Sequence, residues 1–438
     1  MALPFWFKKT CVRAGIARFL PAAKRLTEGE PRFARYVSDR VLAAPLDELL
    51  DPGTFPRSHG PELVDLNLGS PDADAVPTLR PSRAAEAPGS FGSVQFREAI
   101  AEQHRLDGRA IDPDRQILVT HGASGAYASL LDAFVNPGER VVLFDPCSPL
   151  FHLGAKSRRA RLRWVPTWNE DGRTRFLTAG LTRALLGAKL LVLAQPAHPT
   201  GGRFSAQDLE EIAWLANRQD VLVCVEESLA RFQYDAPLPH LTTFPGMDSR
   251  RMTIHSLSIG YGQSDLRIGW ISGHRQLIRM VALCANLNAP GVSPIAQQAA
   301  AAALLRDRAG FEPILQQFRD RRRYAFDRLK GMGFEPGWPS GGFTMWVSTA
   351  PFGLDGRTFA ERLLREERVL VGPGFAYGPS GGDFVRISFA TEMGRLREGL
   401  SRLARFAATL GNTEATVTPP ATADRPVPSE ALPVFSRV

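Results

Sequence analysis

QILVTHGASGAYASLLDAFVNPGERVVLFD, residues 116–145, carries an apolar strand pattern at each end and a helical pattern between them. Residues 116–120 and 140–144 are short and almost continuously apolar, which is typical of strands buried on both faces of a parallel sheet. Residues 123–135 have the length and the apolar spacing of a helix. This strand–helix–strand unit predicts an α/β fold with a parallel sheet.

Similar patterns extend in both directions from this unit. Further strands are predicted at residues 190–194, 221–225, 252–255 and 266–270. Ser205 and Asp208 form a capping-box-like pair at the start of an intervening helix. Later patterns predict a long helix at 311–329, strands at 343–347, 369–371 and 384–389, and helices at 357–367 and 394–409. The prediction is a large α/β domain, with a mostly parallel sheet flanked by helices, and a smaller α+β domain.

The predicted boundaries divide the 438 residues into four parts. They are a basic N-terminal arm with part of the small domain at 1–60, the large domain at 61–310, the small domain at 311–410 and a disordered tail at 411–438. The tail prediction rests on low hydrophobicity and many Pro, Thr and Ala residues.

Positive charge is concentrated at the start of the chain. The net charge is +8, and residues 1–40 hold nine Lys or Arg residues against three Asp or Glu. The rest of the chain is nearly balanced, so a nucleic-acid-binding body is not expected. The arm is either a solvated extension that packs on protein or a segment that contacts an anionic surface or a membrane interface.

Other sequence features argue against a membrane-spanning or secreted protein. The composition, with 44% hydrophobic and 22% charged residues, is that of a globular protein. No run of 18 apolar residues occurs, and the first residues lack the order of a secretory signal. The four cysteines are far apart, so neither a disulfide framework nor a zinc knuckle is predicted. A reducing cytoplasm is the expected location.

Several motifs occur in order at the predicted strand ends. They are LNLGSPD (66–72), THGAS (120–124), DPCSP (145–149), HPTGG (198–202), SLSIGYG (256–262), LRIGW (266–270) and FVRISF (384–389). This ordered set resembles the class I/II aminotransferases over about residues 62–405. The resemblance implies the fold-type I architecture, a pyridoxal phosphate cofactor and a homodimer.

The most important departure from the family pattern is Ile259. The family carries a lysine at this position, which forms a Schiff base with the cofactor and moves a proton between cofactor and substrate. Both tasks need an amine, and isoleucine has none. The chain has six lysines, none near a predicted strand end of the site: Lys8, Lys9, Lys24, Lys156, Lys189 and Lys330. Ordinary transamination is therefore not expected.

Further departures affect positions that contact the cofactor ring in the family. His198 replaces an asparagine that bonds the phenolic oxygen, and Glu226 replaces the aspartate that keeps the pyridine nitrogen protonated. Leu229 and Ser148 each replace an aromatic residue.

The positions that hold anionic groups in the family are retained. Gly122, Ala123 and Ser124 open a predicted helix, whose N-terminus is a ready anion site. The resemblance also assigns phosphate ligands to Ser256 and Arg267, and the substrate's α-carboxylate to Arg386. A structural role stays open for each group. Residues 122–124 could be a plain helix start, Arg267 could be held at the end of the sheet, and Arg386 could form a buried ion pair.

The sequence therefore favours a non-catalytic homologue with a degenerate site. It would bind a small carboxylate or phosphate ligand, or a partner, as a homodimer or as the partner of an active homologue. One alternative is an atypical enzyme that binds pyridoxal or pyridoxamine phosphate non-covalently and acts on an amino or keto acid, with His198 or Glu226 as the base. A second alternative is a protein that binds anionic surfaces or nucleic acid through residues 1–40.

Five residues are candidate metal ligands. His121, His198 and His255, with Glu226 and Glu227, would all lie near predicted strand ends. Their spacing matches no known ligand pattern, so no metal is expected.

Overall fold

The structure is a computed structural model that describes residues 64–66, 89–289, 291–305 and 311–411. Its strands are β1 Val64–Asp65, β2 Ile117–Thr120, β3 Arg140–Asp145, β4 Arg161–Glu170, β5 Arg173–Phe176, β6 Ala188–Ala194, β7 Leu222–Glu226, β8 Arg251–Ser256, β9 Gly269–Gly273, β10 Thr344–Ser348, β11 Val369–Leu370, β12 Gly372–Pro373 and β13 Phe384–Ser388. Its main helices are Val94–Leu106, Gly122–Phe134, Pro149–Ser157, Thr178–Leu185, Ala206–Arg218, Arg275–Asn288, Pro294–Leu305, Phe311–Gly331, Gly356–Glu367 and Met393–Gly411.

Eight strands form the central sheet of the large domain, in the order β2-β9-β8-β7-β6-β3-β4-β5. The strands β3, β4, β6, β7 and β8 run parallel, whereas β9 and β5 are antiparallel to their neighbours. The predicted, mostly parallel α/β sheet is confirmed. The carboxyl ends of β6, β7 and β8 consequently meet at one edge, where ligands bind in such folds.

Helices cover both faces of this sheet, so nearly every residue of β2, β3 and β6 to β9 is buried, whereas most residues of β4 and β5 are not. Helices Gly122–Phe134 and Arg275–Asn288 pack on one face, against side chains such as Cys224 and Met252. Helices Thr178–Leu185 and Ala206–Arg218 pack on the other face beside Val223 and Val225. The half of that second face near β2 and β9 is covered by helices Val94–Leu106 and Pro294–Leu305.

The small domain contains a three-stranded antiparallel sheet in the order β10-β13-β12. Phe318, Phe359 and Leu400, from its three long helices, share one core with the sheet. The strand β1 pairs in parallel with β11, and Val64 belongs to the same core. The strand β1 therefore packs with the small domain, although it lies within the range 61–310 predicted for the large domain.

Most predicted elements agree with the structure to within one or two residues. The helix expected at 123–135 spans Gly122–Phe134, and the Ser205–Asp208 capping box is formed on both sides. The predicted strand at 266–270 is wrong in its first half. Ser264–Leu266 is a 3-10 turn, Arg267 is left-handed with φ of 49°, and the strand begins only at Gly269.

The hairpin of β4 and β5 was not predicted, because half-buried alternation in β4 lacks the continuous apolar signal of its neighbours. Within the described residues, no helix has the length and apolarity to cross a membrane. The N-terminal arm at 1–60 and the tail after residue 411 lie outside the described residues.

Candidate functional site

The candidate site lies where the central strands end at one edge of the sheet. β2 leads into the helix that begins at Gly122, β7 ends at Glu226 and β8 ends at Ser256. His198 follows β6, and Arg386 lies on β13 of the small domain. The structure brings the predicted residues together in two groups, with Gly122 and Arg267 in one and His198 and Arg386 in the other.

An anion cradle forms at the start of helix Gly122–Phe134. A Cβ placed on Gly122 would lie 3.5 Å from Nη2 of Arg267 and 4.0 Å from Oγ of Ser124. Gly122 has φ of 69°, a conformation that favours glycine. Because the first N–H groups of a helix have no partner within it, they and the Arg267 guanidinium are available to the same anion.

Two serines on the β8 side support this cradle. The Ser258 hydroxyl accepts a hydrogen bond from Nη1 of Arg267, at 3.4 Å. The Ser256 hydroxyl accepts the N–H of Ser258 at 3.1 Å and caps the short helix Leu257–Gly260. The sequence analysis assigns no role to Ser258, although it lies in the same motif, two residues after Ser256.

Arg386 contacts His198 at the boundary of the two domains. Nη1 of Arg386 lies 3.3 Å from Nε2 of His198. Burial, followed by the charge of Arg386, lowers the pKa of His198 to about 3. The imidazole is therefore neutral at physiological pH, and its Nε2 lone pair accepts from the guanidinium.

Tyr377 completes this group and had no predicted role. Its ring centroid lies 5.6 Å from the guanidinium carbon of Arg386 and 5.7 Å from the centre of the His198 ring. The backbone carbonyl of Tyr377 accepts the N–H of Cys147 at 2.8 Å, which ties this segment to the end of β3. Only the fold shows that the Tyr377 ring lies beside Arg386.

Glu226 lies at the end of β7 and is buried. Its Oε1 accepts the backbone N–H of Ser228 at 2.9 Å. Burial raises the pKa of this carboxyl, and the hydrogen bond from Ser228 opposes that rise. The side chain is thus bonded to its own chain at the position where the resemblance implies a partner for a pyridine nitrogen.

Ile259 lies on the short helix after β8 and is partly buried. Its side chain packs against the apolar core of the small domain, which also includes Leu229. Both residues therefore make apolar contacts between the domains.

These contacts suit the phosphate of pyridoxal phosphate but not the attachment of its ring. At the phosphate end, the helix N-terminus, Arg267 and the two serines supply donors suited to a phosphate. At the ring end, no amine stands at position 259, and Glu226 is bonded to Ser228. The described residues can hold the phosphate of this cofactor but offer no covalent attachment at Ile259.

The residues weighed as a metal site do not converge. Nε2 of His255 lies 3.5 Å from Oε2 of Glu227, but His198 lies with Arg386 and His121 is exposed. Among the residues that the structure describes, no group of three or more His, Cys, Asp or Glu side chains is arranged to hold a metal ion.

Comparison with known families identifies the group to which this fold belongs. The family model described as "Aminotransferase class I and II" matches residues 65–403. The chain belongs to this family. Class I and II aminotransferases are fold-type I enzymes that depend on pyridoxal phosphate, so the predicted fold and family are confirmed.

Characterised relatives and solved structures agree with this assignment. A putative aminotransferase of Bacillus subtilis is 29% identical over 355 residues, which cover 78% of this chain and 91% of that protein. An aspartate aminotransferase of Pyrococcus abyssi has the same identity and coverage. The structure of Thermus thermophilus aspartate aminotransferase with maleate matches with a TM-score of 0.75 and 27% identity, over 84% of this chain and 99% of that one.

Proposed function

We propose that this aminotransferase-family protein binds a small phosphate- or carboxylate-bearing ligand without catalysing transamination. The observation that carries the proposal is Ile259, an apolar side chain packed on the small-domain core at the position where the family has its lysine. Without an amine there, neither covalent attachment nor proton transfer by that group is available.

The anion cradle supports the ligand-binding part of the proposal. Arg267 lies over the N-terminus of a thirteen-residue helix and beside the Ser258 hydroxyl. Arg386 and the neutral His198 form a second polar group on the small-domain side. Phosphate and carboxylate oxygens match both sets of donors.

A spectroscopic titration tests whether the protein catalyses transamination. Purified protein is titrated with pyridoxal phosphate, then with a panel of amino acids, while the visible spectrum is recorded. We expect amino acids to change the cofactor spectrum no more than they do in a protein-free control, because free pyridoxal phosphate itself forms Schiff bases with amino acids. A spectrum that shifts on binding and shifts again with one amino acid, beyond the change in that control, would contradict the proposal.

A second measurement tests the cradle itself. Equilibrium dialysis with radiolabelled phosphate compares the natural protein with Arg267→Gln and with Arg218→Gln, which alters an arginine stacked on exposed Trp214. We expect Arg267→Gln to weaken phosphate binding roughly ten-fold, since charged hydrogen bonds contribute about 1.5–3 kcal/mol. Equal affinities for all three proteins would remove the cradle from the proposal.

A non-covalent enzyme is the alternative that the same cradle favours. If pyridoxal or pyridoxamine phosphate bound there, the cofactor would supply its own electron sink, and His198 or Glu226 would have to move the proton. Because Nε2 of His198 accepts from Arg386, Nδ1 carries the proton of the neutral ring, so His198 could act as a base only if the contact with Arg386 were broken. Turnover that disappears in His198→Ala while the fold persists would support this alternative over the first proposal.

We also propose that the protein pairs with a second copy of itself or with an active homologue. Met280, Leu283 and Leu287 are exposed on helix Arg275–Asn288 at a spacing that places them on one side. Ile295, at the start of the following helix, is exposed as well. A cytoplasmic location and anionic-surface contacts of residues 1–40 stay predictions.

A further inference from the structure

A loop of the small domain docks on the end of β3 in the large domain. This β12–β13 loop spans residues 374–383. Oδ2 of Asp145, the last residue of β3, accepts the N–H of Ser380 at 3.0 Å. Nε2 of His152 donates to the carbonyl of Ala376 at 2.9 Å. With the backbone hydrogen bond from the segment after β3 described above, these contacts hold the loop across the domain boundary.

Gly378 allows the loop to lie directly on Asp145. A Cβ placed on Gly378 would overlap Oδ1 of Asp145 and would lie 3.4 Å from Cζ3 of Trp164. Gly378 also has φ of 138°, which residues with a side chain rarely adopt. The loop therefore reaches the carboxyl because residue 378 has no side chain.

The carboxyl of Asp145 occupies a place that general stability does not explain. Asp145 is only 3% exposed, and its Oδ1 has no hydrogen-bond partner among the described residues. Burial raises the pKa of this carboxyl, and hydrogen bonding by Ser380 opposes that rise. A buried polar atom without a partner lowers stability. The carboxyl is thus better explained by what it holds than by what it adds to the core.

The docked loop also borders the group formed by Arg386 and His198. Gly372, at the base of the loop, is the register partner of Arg386 in the β12–β13 ladder. The Tyr377 ring lies beside both Arg386 and His198, and its centroid is 5.5 Å from that of Trp346 on β10. Movement of the loop would therefore displace a ring that contacts the whole group.

The loop is closed on itself, so its tip and its base move together. The backbones at its two ends approach so closely that a Cβ on Gly374 would overlap the carbonyl of Gly381. The N–H of Gly381 donates to the carbonyl of Gly378 at 3.1 Å. The carbonyl of Gly382 accepts the N–H of Gly356 at 2.7 Å, which ties the loop to the small domain.

We propose that Asp145 is a positioning residue, which holds the β12–β13 loop on the end of β3 and thereby keeps Tyr377 and Arg386 in place around His198. It acts through the loop, since its hydrogen bond is to Ser380. A carboxylate bound by Arg386, as in the proposed function, would meet a guanidinium that is already fixed, which reduces the cost of ordering it. The test below uses no ligand, so this inference and the proposed function can fail separately.

The protonation of His198 reports where Arg386 and Tyr377 lie. In the docked arrangement, burial and the charge of Arg386 hold the pKa of His198 at about 3. If the loop is released, water reaches the imidazole and its pKa should rise toward 6.5, the value of a free histidine. NMR of the full chain with ¹³C at histidine Cε1 measures this between pH 7.5 and 5. The chain has eight histidines, and His198→Asn assigns the signal.

Two variants release the loop from opposite sides. Asp145→Ala removes the acceptor of the Ser380 N–H, and Gly378→Ala places a methyl group against the carboxyl. We expect His198 to titrate with a pKa above 5 in each. The double variant should raise the pKa no further than the stronger single variant, because both changes break one contact. Gly378→Ala leaves the large domain unaltered, so the test stands even if Asp145→Ala does not fold.

Two further variants are the controls. Asp145→Asn keeps an acceptor oxygen for the Ser380 N–H and should leave His198 neutral down to pH 5. Val142→Ala shortens a buried core side chain of the same strand, so it should lower stability without moving the loop. It separates the positioning of His198 from a general loss of stability.

Hydrogen exchange of peptides that cover residues 374–388 shows whether the loop has been released. Faster exchange in Asp145→Ala with an unchanged His198 would overturn the inference, because the loop would then move without affecting the group. An unchanged His198 in both releasing variants would overturn it too. So would an equal rise of the His198 pKa in Val142→Ala, since that would make the effect one of stability alone.

Discussion

Ile259 makes an apolar contact between the two domains, at the position that the sequence motif matches to the family's lysine. Its side chain is partly buried against the small-domain core, in the same cluster as Leu229. Two substituted positions of the family pattern thus contribute to one packed region, which explains physically why an isoleucine is stable there.

The variant Ile259→Lys tests whether residue 259 faces a bound cofactor and how much its apolar packing contributes to stability. We expect it to form an adduct with pyridoxal phosphate that borohydride fixes and that peptide mass mapping locates at residue 259, separately from any adduct on the six natural lysines. We also expect the free energy of unfolding to fall by about 2 kcal/mol, because an ammonium replaces an apolar contact.

Ile259→Met serves as the control because it conserves volume and should cost less than about 1.5 kcal/mol without forming an adduct. If Ile259→Lys keeps its affinity for phosphate but forms no adduct, position 259 does not face the bound cofactor.

His255 predicts a pH dependence of stability. Burial is the main cause that lowers its pKa from 6.5 to about 4, and nearby Arg109 lowers it further, although Glu227 acts in the opposite direction. Between these two pH values the unfolded chain binds a proton that the folded chain does not. Stability should therefore decrease as the pH falls from 6.5 to 4, by about 1.4 kcal/mol per pH unit from this residue.

Urea denaturation at pH 7, 6 and 5 measures this slope. His255→Phe keeps a ring stacked on Trp270, where the two ring centroids are 4.9 Å apart, and removes the titrating group. We expect a shallower slope for the variant than for the natural protein. Identical slopes would show that folding does not change the protonation of His255 between pH 7 and 5.

Among the elements, helix Ala206–Arg218 shows how much a local pattern determines. The Ser205 hydroxyl accepts the N–H of Asp208 at 3.1 Å, and the Asp208 carboxylate accepts the N–H of Ser205 at 2.8 Å. Both contacts join residues three positions apart, so the sequence alone could predict them.

Removal of this cap gives a prediction for the element. Ser205→Ala should lower the free energy of unfolding by about 1 kcal/mol, because N–H groups of the first turn lose their acceptor. Glu210→Ala, at an exposed position in the same helix, should change it by less than about 0.5 kcal/mol. Chemical denaturation of both variants measures the difference, and equal losses would mean that the cap does not stabilise the helix.

The strand β9 shows the limit of local patterns. Residues 266–270 are apolar enough to resemble a strand, yet Arg267 adopts φ of 49° and the strand starts at Gly269. The reason lies in tertiary contacts. The Arg267 side chain lies beside Gly122, which is distant in the sequence, and beside Ser258, which precedes it by one turn.

At the scale of the whole molecule, the exposed apolar residues of helix Arg275–Asn288 support the proposed association. Leu287 is 85% exposed and Leu283 is 57% exposed. An isolated leucine on a surface is ordinary, but several on one helix face indicate an interface.

Leu283→Glu combined with Leu287→Glu should convert an associated protein into a monomer, because an interface core excludes charges. Sedimentation velocity measures the molecular mass of the natural protein and the variant. Leu177→Glu, at a residue that is 67% exposed elsewhere on the surface, is the control. A natural protein that is already monomeric at the tested concentration would contradict the proposed association.

The sequence by itself determined the fold class, most element positions and the family, because these depend on periodicity, capping and the order of local motifs. It also identified Ile259, His198, Glu226, Arg267 and Arg386, because each lies within a motif that marks its place along the chain. The pairing of Arg386 with His198, the ring of Tyr377 beside them and the packing of Ile259 were decided only by the tertiary structure.

The sequence placed Glu227 and His255 near strand ends but gave no sign that Arg109 and His240 lie beside them. Arg109, Glu227, His240 and His255 come from separate loops and strand ends, and no spacing relates them. Only the crossing of the chain over the sheet brings them together, because contacts between distant segments depend on how elements pack and not on local sequence.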